Sequence, residues 1–410
     1  MHILFITDNF PPEGNAPATR TYEHAIEWVK AGHKVTVITC APNFPEGKVF
    51  DGYKNAFYNR SVMDGIDVVR VKTFISSNEG FILRILDFVS FMFSSFFAGL
   101  FQRKVDVVVA TSPQFFTAIS GWALSAVKRN KFVFELRDIW PASITAVGAM
   151  KDSSVIKLLE KLEMFLYHRA DAIVSVTYSF KKELIERGVD GEKISVVLNG
   201  VDLSKYQPAQ CKNIAFVKEY QLDEKFVVGY VGTHGMAHAL EHVIDAAEYL
   251  KSHENILFIF AGGGAAKDKL VELVKQKQLT NVIFIPRQPK NNMPALWSLC
   301  DVSLISLRDA ALFKTVIPSK IFESMGMGLP ILAAIPQGEA SDIIESANAG
   351  VICSPENGKA LAEEIIKLVS SKGLMEDFKA SSLAAATQFD RKKLAKLMLD
   401  NLRDIIKTVY

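Results

Sequence analysis

The sequence predicts a doubly wound α/β fold, built twice in succession. Three observations carry that prediction. Short apolar runs alternate with amphipathic helical patterns over nearly the whole chain, the signature of strands joined by crossover helices. The runs are apolar at almost every position, as in Asp106-Val-Val-Val-Ala110, because a parallel sheet covered on both faces has no polar side. The pattern also lapses after Asn199 and restarts at Phe226. With 410 residues, 49% of them hydrophobic, the chain can fill two or three separate cores.

The first series opens with a strand at His2–Ile6, a helix over 19–30 and a strand over 33–39, and continues with strands over 105–110, 131–136 and 172–176. The tract 199–225 loses periodicity and gathers Pro208, lysines and asparagines, so the connection between domains is expected there. The second series has strands over 226–231, 256–260, 282–285, 302–305 and 331–334. A helix after Gly232 carries Leu240, Val243, Ile244, Ala247 and Leu250 on one face. A last helical stretch covers 390–410. The expected domains are 1–205, 206–388 and a closing helix, 389–410. Two such sheets imply a cleft between them, because ligands of open parallel sheets bind at the carboxyl ends of the strands.

Composition removes several function classes. A net charge of +2 does not suit a general nucleic-acid binder, which needs a strongly basic footprint. The four cysteines, Cys40, Cys211, Cys300 and Cys353, lie far apart with no metal-ligand spacing. Reduced thiols in a cytoplasmic protein are expected. The N-terminus lacks the parts of a signal peptide and reads as a buried strand. No Ser/His/Asp order, HExxH or paired-cysteine motif supports a hydrolase or a metal site. One segment departs from this profile: residues 81–101 hold seven of the 28 phenylalanines. Arg84 and Asp87 argue against a membrane span. Residues 81–104 read equally well as a helix in the membrane interface or as a core helix.

Several loops carry candidate chemistry. Pro318-Ser-Lys-Ile-Phe-Glu323 opens a helix whose start would offer backbone N–H groups and a positive dipole end to a diphosphate. Glu323, one turn in, is placed to take both hydroxyls of a ribose. Ser319, Lys320 and Lys314 are candidate diphosphate contacts; Lys320 stands in the first turn, where a cation opposes the dipole and so needs another purpose. Gly232, His234 and Gly235 follow a strand and open a helix, where phosphate would meet bare N–H groups. Gly14, Asn15 and Ala16 follow the first strand, with Gly14 allowing close backbone approach to a ligand. Arg137 and Asp138 end an apolar strand of the first unit, within Glu135-Leu-Arg-Asp-Ile-Trp-Pro141, and are the candidates nearest the reaction.

These residues, with Asn199-Gly-Val-Asp202 at the junction and glycines at Gly262, resemble the GT-B-fold glycosyltransferases of family 4, and more narrowly the WbuB-like O-antigen and capsule branch of L-fucosamine transferases. The resemblance spans nearly the whole chain. It implies a retaining transfer, without metal or other cofactor, from a nucleotide-sugar donor held by the C-terminal domain to an acceptor on the N-terminal domain, with the last helix crossing back. It places Glu323 on the ribose and Ile285, Arg287 and Gln288 against the base. Thr315, Ile317 and Pro318 would face the donor sugar. The expected substrates are a UDP-sugar, with N-acetyl-L-fucosamine as one candidate sugar, and a lipid-linked saccharide at the inner face of the cytoplasmic membrane. A UDP-sugar 2-epimerase of the same fold and a noncatalytic sugar-nucleotide-binding scaffold are the alternatives.

Three departures from the family pattern matter. Thr315 stands where the first of two glutamates is common, Pro318 replaces a glycine, and the stretch from Gly232 to Leu250 has no Lys or Arg. Lys320, seconded by Lys314 or Arg287, must then meet the diphosphate charge.

Overall fold

A computed structural model describes residues 1–75, 81–112, 115–139 and 154–407. The chain divides into two compact units, Met1–Leu198 with Arg391–Tyr410, and Asn199–Asp390. The division falls a few residues ahead of the expected boundary at 205.

The first unit is built on β1 (His2–Ile6), α1 (Ala16–Lys30), β2 (Lys34–Cys40), β3 (Tyr58–Met63), β4 (Ile66–Val71), α2 (Phe81–Leu100), β5 (Val107–Thr111), α3 (Phe115–Lys128), β6 (Lys131–Leu136), α4 (Ser154–Arg169), β7 (Ala172–Ser175), α5 (Tyr178–Glu186) and β8 (Ile194–Val196). Its sheet runs β3-β4-β2-β1-β5-β6-β7-β8. Every described pairing is parallel except β3 with β4. Sequence reading passed over that hairpin, although Asp64-Gly65 is a strong turn signal. Both residues take positive φ, +50° and +82°, as a two-residue hairpin turn requires. The central strands β1 and β5 are buried throughout, which is why they read as unbroken apolar runs.

The second unit holds α6 (Ile214–Tyr220), β9 (Phe226–Thr233), α7 (Leu240–Tyr249), β10 (Ile256–Gly263), α8 (Lys267–Gln276), β11 (Val282–Ile285), α9 (Met293–Trp297), β12 (Val302–Ser306), α10 (Lys320–Gly326), β13 (Ile331–Ala334), α11 (Glu339–Ser346), β14 (Gly350–Cys353), α12 (Gly358–Ser370) and α13 (Lys372–Ala386). Its parallel sheet runs β11-β10-β9-β12-β13-β14. Helix α6 lies in the tract expected to be a plain connection. Asn213 caps it by accepting from Phe216 N, a local start signal outweighed in the sequence by the loss of periodicity around it.

The closing helix α14 (Arg391–Lys407) belongs to the first unit. Leu394, Met398, Leu399 and Leu402 share a core with Trp28 of α1, and the Trp28 indole N–H donates to Ala395 O at 2.8 Å. Arg391 Nε pairs with Glu23 at 2.9 Å. Each buried aliphatic side chain contributes about 1.5–3 kcal/mol, so this face, more than the ion pair, holds the helix in place. The two chain crossings also adjoin: Val201 N donates to Phe389 O at 3.0 Å and Val201 bridges Asp390.

Candidate functional site

In the second sheet the strand order reverses between β9 and β12, and the carboxyl ends of those strands are where such sheets leave a crevice. The loops leaving them are zipped together. His238 Nδ1 stands 3.2 Å from Ser306 O, Ser306 Oγ donates to His238 O at 2.7 Å, and Arg308 donates through N to Ala237 O and through Nε to Met236 O. Gly262 is a steric necessity here. A Cβ on Gly262, at φ +139°, would lie 2.0 Å from Gly232 O, so the β9 and β10 loops stack only without side chains.

Lys320 projects into this place from α10. Its Nζ lies 3.7 Å from the centroid of the Tyr230 ring and 3.3 Å from where a Cβ on Gly232 would stand. The ammonium is enclosed and has no hydrogen-bond partner among the described residues. Burial pushes its pKa down to about 7, with nearby Glu323 pulling the other way. An amine stripped of water and given only an aromatic face is undersatisfied. An anion would complete it. Glu323, one turn on, accepts from the Trp297 indole N–H at 3.1 Å, which fixes the direction of its carboxylate.

Other predicted donor residues fare differently. The α10 opening is more closed than a bare helix start: Ile321 N donates to Pro318 O, and Phe322 N and Glu323 N donate to Ser319 O. The helix is only 7 residues long and Ser319 makes no side-chain cap, so the lysine, not the helix mouth, is the distinctive cationic feature. His234 is corrected. Its ring is fully buried among Tyr230, Phe260 and Phe284, and its backbone N–H donates to Gly263 O at 2.9 Å. Burial, aided by Lys267 and Lys320, takes its pKa down to about 4, so it brings no charge to a phosphate. Gly235 has ordinary φ, −103°, and tolerates a Cβ. Lys314 is exposed. Thr315 spends its hydroxyl proton on Leu312 O at 2.8 Å, which leaves it an acceptor toward a sugar. Ile317 and Ile285 are buried, so only the backbone beside them can meet a ligand. Arg287 is exposed, and Gln288 donates to Pro286 O at 3.2 Å.

The first unit has its own reversal, between β1 and β5. Ser112, just past β5, accepts from the backbone N–H groups of Arg137 and Asp138 at 2.8 and 3.2 Å, which fixes the end of β6. Glu135 is structural, taking Arg20 Nε at 2.8 Å with both side chains buried. Arg137 Nη1 is buried with no hydrogen-bond partner among the described residues, and burial lowers the guanidinium to about 10. Trp140 and Pro141 of the same motif lie outside the described residues. Asn15 caps α1 by accepting from Ala18 N at 2.9 Å, and Ala16 begins the helix. A Cβ on Gly14 would meet nothing within 4 Å, so the fold itself does not demand glycine there.

What sequence reading missed is a set of carboxyl groups at this end. Asp8 leaves β1, Glu13 lies in the next loop and Asp87 sits on α2, and each acts electrostatically on at least one of the others. Burial raises the pKa of all three, Glu13 and Asp87 to about 7. Glu13 Oε1 accepts from Asn43 N and Phe44 N, while its buried Oε2 has no partner among the described residues. No spacing in the sequence joins residues 8, 13 and 87. Among the described residues, no group of three or more His, Cys, Asp or Glu side chains is arranged to hold a metal ion.

Two doubly wound units with ligand-type rims at their sheet reversals define the class, the GT-B fold. Comparison with known proteins gives the family. Residues 17–205 match the model described as Glycosyltransferase Family 4, and residues 213–383 match that described as Glycosyl transferases group 1. The chain belongs to the GT-B glycosyltransferases of family 4. It is 28% identical over 377 residues to a protein of Escherichia coli named for a colanic acid biosynthesis glycosyl transferase, WcaI, covering 89% of this chain and 91% of that one. WbjE of Pseudomonas aeruginosa, named as a glycosyltransferase, is 27% identical over 66% of this chain and 69% of its own. Among solved structures, sucrose-phosphate synthase from Thermosynechococcus elongatus superposes with a TM-score of 0.79 at 15% identity, covering 99% of both chains. Anabaena HepE, solved in complex with UDP, gives 0.72 at 17% identity over 98% of this chain and 100% of its own.

Proposed function

We propose that this glycosyltransferase takes a sugar from a UDP-sugar, with retention of configuration and without a metal ion, and passes it to a lipid-linked saccharide during bacterial O-antigen or capsule assembly at the inner face of the cytoplasmic membrane. The names of WcaI and of other relatives in capsule synthesis support the pathway class. HepE, of the same fold, has been solved with UDP and with UDP-glucose, which supports the donor class. N-acetyl-L-fucosamine is the donor sugar the family branch suggests.

The observation that carries this reading is the enclosed, unpartnered ammonium of Lys320 beside Gly232 and over Tyr230. In this reading the lysine meets the diphosphate, and Glu323, steadied by Trp297, takes the ribose hydroxyls. Charge builds on the diphosphate as the bond to the sugar breaks, and a preset cation in a dry site stabilises it most at that moment. Asp138, on the acceptor unit, orients the acceptor.

Calorimetric titration with UDP tests the reading. Lys320→Ala should raise the dissociation constant about tenfold to a hundredfold, the worth of one charge-assisted contact. Unchanged affinity removes the lysine from the mechanism.

A further inference from the structure

We propose that the outward side of α2 and the adjoining end of the β3–β4 hairpin form one aromatic platform that seats the first unit on the surface of an anionic lipid bilayer. The proposal deepens the membrane-facing part of the reading above, and it stands or falls separately from donor binding.

Helix α2 has two unlike faces. Inward, Phe91, Ser95 and Ala98 are buried; Ser95 Oγ lies 2.8 Å from Ser120 Oγ, and a Cβ on Gly99 would fall 2.3 Å from Leu124 of α3. That face is committed to the protein, so the helix cannot cross a bilayer alone. Outward, Leu83, Leu86, Phe93, Phe97 and Leu100 form a stripe at helical spacing, with Phe93 55% and Phe97 57% exposed. Phe101, just beyond, is 75% exposed. Only 22% of the apolar window Leu83–Leu100 is buried, whereas a core helix is covered all round. Surface helices of soluble domains carry polar residues on that side, and an apolar patch of this extent marks an interaction site.

The hairpin continues the patch. Phe57 is 81% exposed, and Tyr58 and Phe74 are exposed beside it. Three hydrogen bonds join the two elements: Gln102 Nε2 to Tyr58 OH at 3.4 Å, Ser94 Oγ to Lys72 O at 2.7 Å, and Phe74 N to Ser90 Oγ at 2.7 Å. Lys72 holds its ammonium 4.5 Å from the Phe57 ring centroid, and Arg84, Arg103 and Lys104 are exposed around the same helix. The nearby acids are turned to other work. Asp87, half-covered, interacts with Asp8 and Glu13 as well as with Arg84, and Asp106 accepts from His2 N at 2.6 Å. Aromatics ringed by exposed cations are complementary to anionic headgroups over an acyl boundary, which selects a bilayer over a second copy of the same basic surface.

Flotation of the full chain with phosphatidylethanolamine–phosphatidylglycerol vesicles tests this, with far-ultraviolet circular dichroism as the check on folding and UDP titration as the check on the donor site. The wild type should float, and less so with phosphatidylcholine vesicles. Phe93→Ser/Phe97→Ser/Phe101→Ser should weaken partitioning by about tenfold or more, and Phe57→Ser severalfold, with UDP affinity unchanged in both. A wild type that stays in solution, or variants that float as well as it does, overturns the platform. So does a wild-type dimer that the triple variant disperses while neither protein binds vesicles. A wild type that floats but does not bind UDP supports the platform and removes the donor reading.

Discussion

The two sheet reversals present opposite chemistries on one kind of scaffold. In the second unit the rim is cationic at its centre: an enclosed lysine over a tyrosine ring, flanked by histidines that burial keeps neutral. In the first unit the corresponding rim carries Asp8, Glu13 and Asp87, all held toward their protonated forms, with Arg137 nearby. Strand order places both rims and says nothing of their charge. The loop residues decide that, and they suit one rim to an anion and the other to neutral hydroxyls that donate and accept hydrogen bonds.

The largest test of this contrast is steric. Gly262→Ala should cost more than about 2 kcal/mol, because its Cβ would meet Gly232 O at 2.0 Å; denaturant unfolding measures it, and a tolerated alanine would mean that the β9 and β10 loops have room to part. The lysine comes next. Since Lys320 titrates near 7 without ligand and a diphosphate favours its charged form, binding takes up a proton. UDP-sugar affinity should therefore fall as pH rises above about 7, by up to about tenfold per unit. Lys320→Arg should flatten that slope, and equal slopes in calorimetry at several pH values would deny the coupling.

The acidic rim predicts a loss in the same direction of pH, in stability rather than in affinity. Burial pushes Glu13 up to about 7 in the fold from the 4.5 of a free glutamate, so the folded state binds more protons between those values. The stability it brings is present below 4.5 and lost as pH rises through about 7. Glu13→Gln keeps an acceptor for Asn43 N and Phe44 N. It should raise Tm by about 2–4 °C at alkaline pH, the effect of roughly 1 kcal/mol in a unit of this size, and leave it unchanged in acid. The same gain at both pH values would mean that charge is not what Glu13 contributes. Smallest of all, Gly14→Ala should stay within about 0.5 kcal/mol, the counterpart of the intolerant Gly262; a large loss would show that the first rim, too, depends on close backbone packing.

Particular elements show where sequence reading succeeds. Strands β1, β6, β11 and β13 fall on the expected residues; β1 and β13 are buried at every position, which leaves unbroken apolar runs, and glycine or proline marks many of the ends. The β3–β4 hairpin was passed over because β3 is exposed along nearly its whole length and carries no periodic signal, although its turn residues were readable. Helix α6 hid in polar sequence. In the site, Lys320 stood out because a cation in a first helical turn needs a reason, whereas His234 looked like a phosphate contact and proved to be packed among rings.

By itself the sequence determined two doubly wound units, their glycine turns and the family to which they belong, since periodicity, turn chemistry and short motifs are local properties of the chain. Tertiary structure alone decided which groups lose their water. Lys320 and Glu13 are fully hydrated in an extended chain; each becomes an unsatisfied polar group only when distant segments close around it. The trio of residues 8, 13 and 87 exists only because α2 packs back across the sheet. Desolvation and proximity are sums over neighbours in space, and no local pattern in the chain encodes them.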